Sequence, residues 1–416
     1  MTEQFSKFKY TVLFKKHLNF NAQKPVIAYD YDELLNFFAD CVEMLKIEAT
    51  LLELSAPVVV VSDIHGQYED LHRIFTVAFK YGSTPKMLFL GDIVDRGEAS
   101  LQCYIAVLVR KLAFPKKYHI IRGNHENVSV NERFGFLKEL KLRYPIDKAV
   151  KLHQAIGQVF NWTPLAALID RKILCMHGGI GPAIRSLEDI SRITRPIVNS
   201  YNNAVANDLL WADPDPTVEV TKFNNLRQTS VLFGDAEVER VCHALKIDCI
   251  IRGHQCTPKG YSFPLRSNKL VLLFSAPGYC VMPETKEFNE GAIALVQKGK
   301  SGRLNFKFRR LKRLANSFGK NKDLITDEIT TASPDSSVST PPSPVVSPKS
   351  PKTRKFKWKI VFPKGTVAAS PKRESMKKRL MQDRLKQTAL TQERLKYQAE
   401  RPGTTTEMIE NVDLNK

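Results

Sequence analysis

The chain lacks any apolar run near the ~18–20 residues that a bilayer-spanning helix needs, so no membrane span is expected. Met1 to Phe20 carries charges every few positions and has no long apolar stretch, which argues against a secretory leader. Cysteine is scarce and scattered: Cys41, Cys103, Cys175, Cys242, Cys249, Cys256 and Cys280 form no CxxC pair and are odd in number. That pattern predicts reduced thiols in a cytoplasmic or nuclear protein and excludes a thiolate zinc site. No internal repeat is present. Acidic residues are outnumbered, 43 against 63 Lys and Arg, for a formal charge of +20 over 416 residues. The surplus is uneven: residues 301–416 carry 26 basic and 11 acidic side chains, residues 1–300 carry 37 and 32. A nearly balanced body therefore precedes a basic extension. With 43% hydrophobic residues the body has enough apolar material for a core.

Residues 1–25 read as irregular and basic. Apolar side chains recur at helical spacing from Tyr31 to Leu45. Strands and helices then alternate: strand Val58–Val61, helix Tyr68–Lys80, strand Met87–Leu90, helix Ser100–Leu112, strand Tyr118–Ile121. That order predicts an α/β core with parallel strands. Further strands are expected at Lys172–Met176, Cys249–Ile251, Leu270–Phe274, Ala292–Val296 and Leu304–Phe308, with more antiparallel pairing in the second half. A mixed α/β fold around a central two-sheet sandwich follows.

Hard ligands cluster after these strands. Ser62-Asp63-Ile64-His65-Gly66, Gly91-Asp92-Ile93-Val94-Asp95-Arg96-Gly97, Arg122-Gly123-Asn124-His125-Glu126, His177-Gly178-Gly179 and Arg252-Gly253-His254 each follow a predicted strand. In α/β sheets ligands bind beyond the carboxyl ends of strands. Four of the nine histidines fall in these glycine-containing loops. Asp, His and Asn together make a nitrogen/oxygen site suited to divalent Mn, Fe or Zn. A two-metal site needs a shared carboxylate, and Asp92 is placed to bridge. Arg96 presents a planar guanidinium to phosphate oxygens. His125 can donate a proton to a leaving oxygen, with Asp95 orienting it.

These three leading motifs resemble the signatures of the phosphoprotein phosphatases, the metal-dependent serine/threonine phosphatases, and look closest to the type-1 catalytic subunit. His177-Gly178-Gly179, Asp208-Leu209-Leu210-Trp211, Arg252-Gly253-His254-Gln255 and Phe274-Ser275-Ala276-Pro277 extend the resemblance, which runs from about Leu51 to Phe308. It implies a calcineurin-like metallophosphoesterase architecture, a central β-sandwich flanked by helices. One metal ion would be held by Asp63, His65 and Asp92, and a second by Asp92, Asn124, His177 and His254. Manganese is the expected ion, with iron or zinc as alternatives. Arg96 and Arg227 would bind phosphate, His125 paired with Asp95 would be the general acid, and Tyr279 would line the site. The implied reaction is direct attack of a hydroxide bridging the two ions on the phosphorus of phosphoserine or phosphothreonine. A catalytically weak scaffold that binds regulatory proteins is the alternative.

Ser62 stands where the family usually has glycine, Gly181 where it has serine, Gln228 where glycine follows the phosphate-binding arginine, Phe134 for a tyrosine and Gly278 for an asparagine. The stretch Cys280 to Gly291 is longer than usual and lacks its early glycine. The resemblance sets that loop over the active site, which leaves substrate choice and sensitivity to toxin inhibitors open.

The resemblance also implies a groove for short regulatory motifs, lined by Ile169, Phe263, Leu304, Phe306 and Phe308 with Asp248 at its rim; sheet core is the other reading of the same residues. Four segments are expected: an N-terminal extension (1–30), a catalytic domain (31–315), a disordered Ser/Pro-rich and basic linker (316–370) and a basic, partly helical tail (371–416). Lys359-Ile360-Val361-Phe362 looks like a motif for such a groove and can be imagined docking in cis. Ser333, Thr340, Ser343, Ser347, Ser350 and Ser370 precede prolines and suit proline-directed kinases. Nothing in the tail resembles a nucleic-acid-binding module.

Overall fold

In the computed structural model the described residues are 8–18, 26–81, 85–283, 285–300, 302–314 and the strand Ile325–Asp327. Lys359–Phe362, the Ser/Thr-Pro sites and the helix expected after residue 371 lie outside them.

Val58–Val61 is four consecutive valines, all buried. Val58 and Val60 point into the layer between two sheets, while Val59 and Val61 face helices on the other side. Period-2 geometry explains this unbroken run: a strand covered on both faces needs apolar residues at every position. The same alternation separates Leu88 from Met87 and Phe89.

One six-stranded sheet runs in the order Leu51–Leu54, Ala166–Ile169, Ile173–Met176, Cys249–Arg252, Leu270–Leu273, Tyr261–Ser262. The other runs Ile325–Asp327, Leu304–Leu311, Gly291–Lys298, Val58–Val61, Met87–Phe89, Tyr118–Ile120. A small third sheet joins Asp213–Pro214, Val231–Phe233 and Thr221–Phe223. The expected sandwich with flanking helices is thus present. Antiparallel pairing in the second half holds for Gly291–Lys298 with Leu304–Leu311. It holds too for Tyr261–Ser262 with Leu270–Leu273, while Ile173–Met176, Cys249–Arg252 and Leu270–Leu273 are mutually parallel. The helices Ala204–Trp211 and Asp235–Leu245 lie in the connection that parallel pairing requires.

Three helices between residues 128 and 162 are not evident from the sequence pattern: Val128–Phe134, Phe136–Arg143 and Ile146–Trp162. Gly135, at φ 121°, separates the first two, and Pro145 precedes the third, so no single long apolar stripe signals them.

Two expectations about the ends are corrected. The N-terminal extension is not irregular throughout: Thr11–Leu18 is a helix that buries Leu13, Phe14 and His17. Phe14 packs edge-on against Phe114, and Tyr10 against Phe37, so this segment shares the helical core. The region assigned to the disordered linker contributes Ile325–Asp327, paired antiparallel with Arg309, Arg310 and Leu311. Leu304–Leu311 would otherwise present an open row of backbone donors and acceptors, which another strand satisfies. Among the described residues no helix is long and apolar enough to cross a membrane.

Candidate active site

The five ligand-bearing loops leave the ends of Val58–Val61, Met87–Phe89 and Tyr118–Ile120 in one sheet and Ile173–Met176 and Cys249–Arg252 in the other. His65, Asp92, Asp95, Arg96 and His254 all have positive φ, between 48° and 69°. Side-chain-bearing residues enter this region at a steric cost, and such positions gather where a ligand fixes the geometry. A Cβ at Gly91 would run into the main chain of Gly123, and a Cβ at Gly123 would meet the Asp92 carboxylate. These two glycines let the second and third motifs touch backbone to backbone.

The side chains meet in one buried cluster. Asp92 Oδ2 lies 3.3 Å from His177 Nε2 and 3.6 Å from His65 Nε2, while its Oδ1 accepts the His125 main-chain N–H at 2.9 Å. His177 Nε2 is also 2.8 Å from Asn124 Oδ1 and 3.2 Å from His254 Nδ1. Asp63 Oδ1 lies 3.9 Å from His65 Nε2.

Two imidazoles have their outer nitrogens engaged. His65 Nδ1–H donates to the Val94 carbonyl and His177 Nδ1–H to the Leu90 carbonyl, each at 3.0 Å. Both rings therefore turn Nε2 inward, the arrangement that orients metal-binding histidines. There His177 Nε2 faces two acceptors, Asn124 Oδ1 and Asp92 Oδ2, so that nitrogen needs a proton or a cation; burial lowers the His177 pKa, but Asp92 outweighs it and raises it. Asp63 Oδ1 and His254 Nε2 are buried with no hydrogen-bond partner. Such a set is stable only with shared positive charge at its centre. Asp92 is held well below the usual carboxylate range: burial opposes ionisation, but His177, His125 and His65 outweigh it. The residues present fit divalent cations.

By proximity, the groups within 4.8 Å are His65, Asp92 and His125, and Asp92, His177 and His254. His125 has a different engagement. Its Nδ1 is 2.8 Å from Asp95 Oδ2, and Asp95 also accepts from Asn131 Nδ2 at 2.9 Å and from the Phe136 N–H at 3.0 Å. Burial lowers the His125 pKa, yet Asp92 and Asp95 outweigh it and raise it. Asp63, with a buried unpartnered oxygen, is the better donor to a cation.

Two guanidinium groups flank the cluster. Arg96 is exposed, its guanidinium 4.1 Å above the Phe134 ring, and its N–H donates to the Phe134 carbonyl at 2.9 Å. Arg227 is half-buried, held by Asp213 Oδ2 at 2.9 Å, with its Nη2 3.4 Å from the His254 carbonyl. Tyr279 stacks on His65 with centroids 4.9 Å apart, and burial pushes its hydroxyl up to about 12. The predicted site residues thus all meet in one place.

Sequence reasoning misses several supports. Glu126 accepts the N–H groups of Asp92 at 2.7 Å, Ile93 at 2.9 Å and Gly123 at 2.8 Å, tying two motif loops together. Burial and the Asp92 charge push its carboxyl up to about 7. Its place in Gly123-Asn124-His125-Glu126 is the only local signal. Asn131 and Asp213 carry none, since their partners are distant in sequence. The departures also find reasons. Gln228 and Gly278 have φ of 57° and 68°, a region where glycine and asparagine are favoured, so Gln228 is the strained choice and Gly278 the relaxed one. At Gly181 a Cβ would collide with the Asp208 carboxylate.

The expectation of uniformly reduced thiols is corrected. Cys256 and Cys280 form a disulfide, while Cys41, Cys103, Cys175, Cys242 and Cys249 are free and buried. A separation of 24 residues carries no sequence signal; the two loops meet only in the fold.

The calcineurin-like phosphoesterase family pattern matches residues 56–258. The chain is 42% identical over 235 residues to serine/threonine-protein phosphatase PP1-delta of Caenorhabditis elegans, covering 56% of this chain and 74% of that protein. A solved protein serine/threonine phosphatase from Saccharomyces cerevisiae, described as similar to human phosphatase PP5, superposes with a TM-score of 0.63 at 25% identity, covering 74% of this chain and 97% of that one. With the cluster above, these likenesses establish that the chain belongs to the phosphoprotein phosphatase family of metallophosphoesterases.

Proposed function

We propose that the protein hydrolyses phosphoserine and phosphothreonine esters in proteins, using His125 as general acid. The observation that carries this reading is the juxtaposition of a buried acceptor cluster with the His125–Asp95 pair, 2.8 Å apart. Asp63, His65 and Asp92 would hold one divalent ion, and Asp92, Asn124, His177 and His254 a second, with manganese the ion proposed. When bound, such ions supply Lewis acidity toward phosphoryl oxygens and make water a nucleophile at neutral pH. Arg96 and Arg227 bind the phosphate: the first reaches solvent on the Phe134 ring, the second is aimed by Asp213. A serine alkoxide is a poor leaving group, so a proton must reach its oxygen as the ester bond breaks. Asp95 holds His125 through Nδ1, leaving Nε2 to deliver that proton. Release of phosphopeptide phosphate with Mn²⁺, lost in Asp92→Asn and His125→Ala, is the test; undiminished turnover in both variants would refute it.

Regulatory proteins are proposed to dock at the sandwich edge. Ile169, Phe306 and Phe308 are buried between the sheets, and Phe308 stacks on Tyr261 at 4.1 Å. Tyr261, Phe263 and Leu304 stay half-buried at the rim, where an extended peptide can insert side chains. A peptide carrying Lys359–Phe362 should bind, and Leu304→Asp should weaken it; equal binding by both proteins would remove the proposal.

A further inference from the structure

The five free cysteines are sealed in the core, but Cys256 and Cys280 are half-buried and reachable by small molecules. Their bond joins two loops that carry site residues. Cys256 lies two positions after His254, and Cys280 directly follows Tyr279, whose ring stacks on His65. On its far side the Tyr279–Cys280 segment is held by Asn289, whose Oδ1 accepts both N–H groups at 2.8 and 3.0 Å. The disulfide ties that segment to the His254 loop.

We propose that Cys256 and Cys280 are a reversible redox modification site that takes a small-molecule disulfide such as glutathione disulfide, and that its closure fixes Tyr279 over the active site. One cysteine thiolate attacks the glutathione disulfide, forming a mixed disulfide and releasing one glutathione. The other cysteine then attacks the mixed disulfide at the protein sulfur, closing the Cys256–Cys280 bond and releasing the second glutathione. Two electrons pass from the protein to the oxidant, and the two thiol protons end on two glutathione thiols. Reduction by glutathione runs the same steps backward. Closure removes freedom from a segment that must be ordered when substrate is bound, so the oxidised enzyme has the higher kcat/KM.

The test equilibrates the full-length, Mn²⁺-loaded protein across glutathione:glutathione disulfide ratios, then traps free thiols with iodoacetamide. Mass spectrometry without reduction reads the 256–280 crosslinked peptide, and steady-state kinetics read kcat/KM on a phosphopeptide. The crosslink should titrate, and kcat/KM should rise with it by roughly two- to tenfold. Cys256→Ser should stay at the reduced value at every ratio. Alkylation of both cysteines at every ratio, or an identical kinetic titration in Cys256→Ser, would overturn the proposal. The kinetic arm rests on the phosphatase reading and the crosslink arm does not. A protein inactive at every ratio would count against that reading, and the crosslink alone would then decide on the redox pair.

Discussion

His125 Nδ1 and Asp95 Oδ2 lie 2.8 Å apart, and the same carboxylate is held from behind by Asn131 and by the Phe136 N–H. The hydrogen bonds that the Asp95 carboxylate accepts from Asn131 and Phe136 therefore hold it in place against one imidazole. Asp95→Asn, which keeps the shape and removes the charge, should lower kcat on a phosphoserine peptide by about 10²-fold or more, with KM little changed. Steady-state kinetics check this, and an unaltered kcat would exclude the dyad.

Proton donation matters most for poor leaving groups. His125→Ala should therefore cost much less on an aryl phosphate, whose phenolate leaves readily, than on a phosphoserine peptide. Equal losses on both substrates would point to a role other than general acid.

The cluster of buried acceptors implies that cations stabilise the fold as well as the reaction. Dialysis against a chelator should lower the melting temperature and abolish turnover, and Mn²⁺ should restore both. At a hundredfold excess over its Kd an ion contributes about 2.7 kcal/mol. Asp92→Asn should blunt the calorimetric response to Mn²⁺.

Glu126 serves three main-chain donors. In Glu126→Gln an amide N–H₂ must face one of those N–H groups, at a cost of roughly 1–3 kcal/mol. Thermal unfolding should reveal the loss, and an unchanged midpoint would show that the motif loops hold each other without it.

The N-terminal helix offers a pH test. His17 is buried, its Nδ1 2.7 Å from the Tyr68 hydroxyl and its Nε2 3.2 Å from that of Tyr29. Burial, then Arg110, His72 and Lys16, hold its pKa well below the ordinary histidine value. The unfolded chain thus binds a proton that the folded one excludes. This contribution is complete above the unfolded pKa of about 6.5 and is lost as pH falls below it, by up to about 1.4 kcal/mol per pH unit. Denaturant titrations at pH 7.5 and 5.5 should show a smaller difference in His17→Gln. Phe14→Ala, which empties the adjoining contact with Phe114, should cost about 3–5 kcal/mol at either pH.

The ligand loops were legible because each is a local statement. A β-branched run, a glycine and a hard ligand within five residues report backbone geometry and chemistry together, as at Val61-Ser62-Asp63-Ile64-His65-Gly66. The helices between 128 and 162 were not, because Gly135 and Pro145 cut their periodicity into pieces. The helix Thr11–Leu18 was hidden because eight residues give too few turns for a pattern.

By itself the sequence determined the strands that carry the ligand loops, which of their faces are apolar, and which ligands stand at their ends, since these depend on residues close together in the chain; strands such as Leu51–Leu54 and Ala166–Ile169 were not legible there. Only the tertiary structure decided that Asp213 holds Arg227, that Glu126 binds Asp92 and Ile93, that Ile325–Asp327 completes a sheet edge, and that Cys256 joins Cys280. Those are pairings between separate segments. Side-chain type permits many such partners, and close packing of the two sheets selects one.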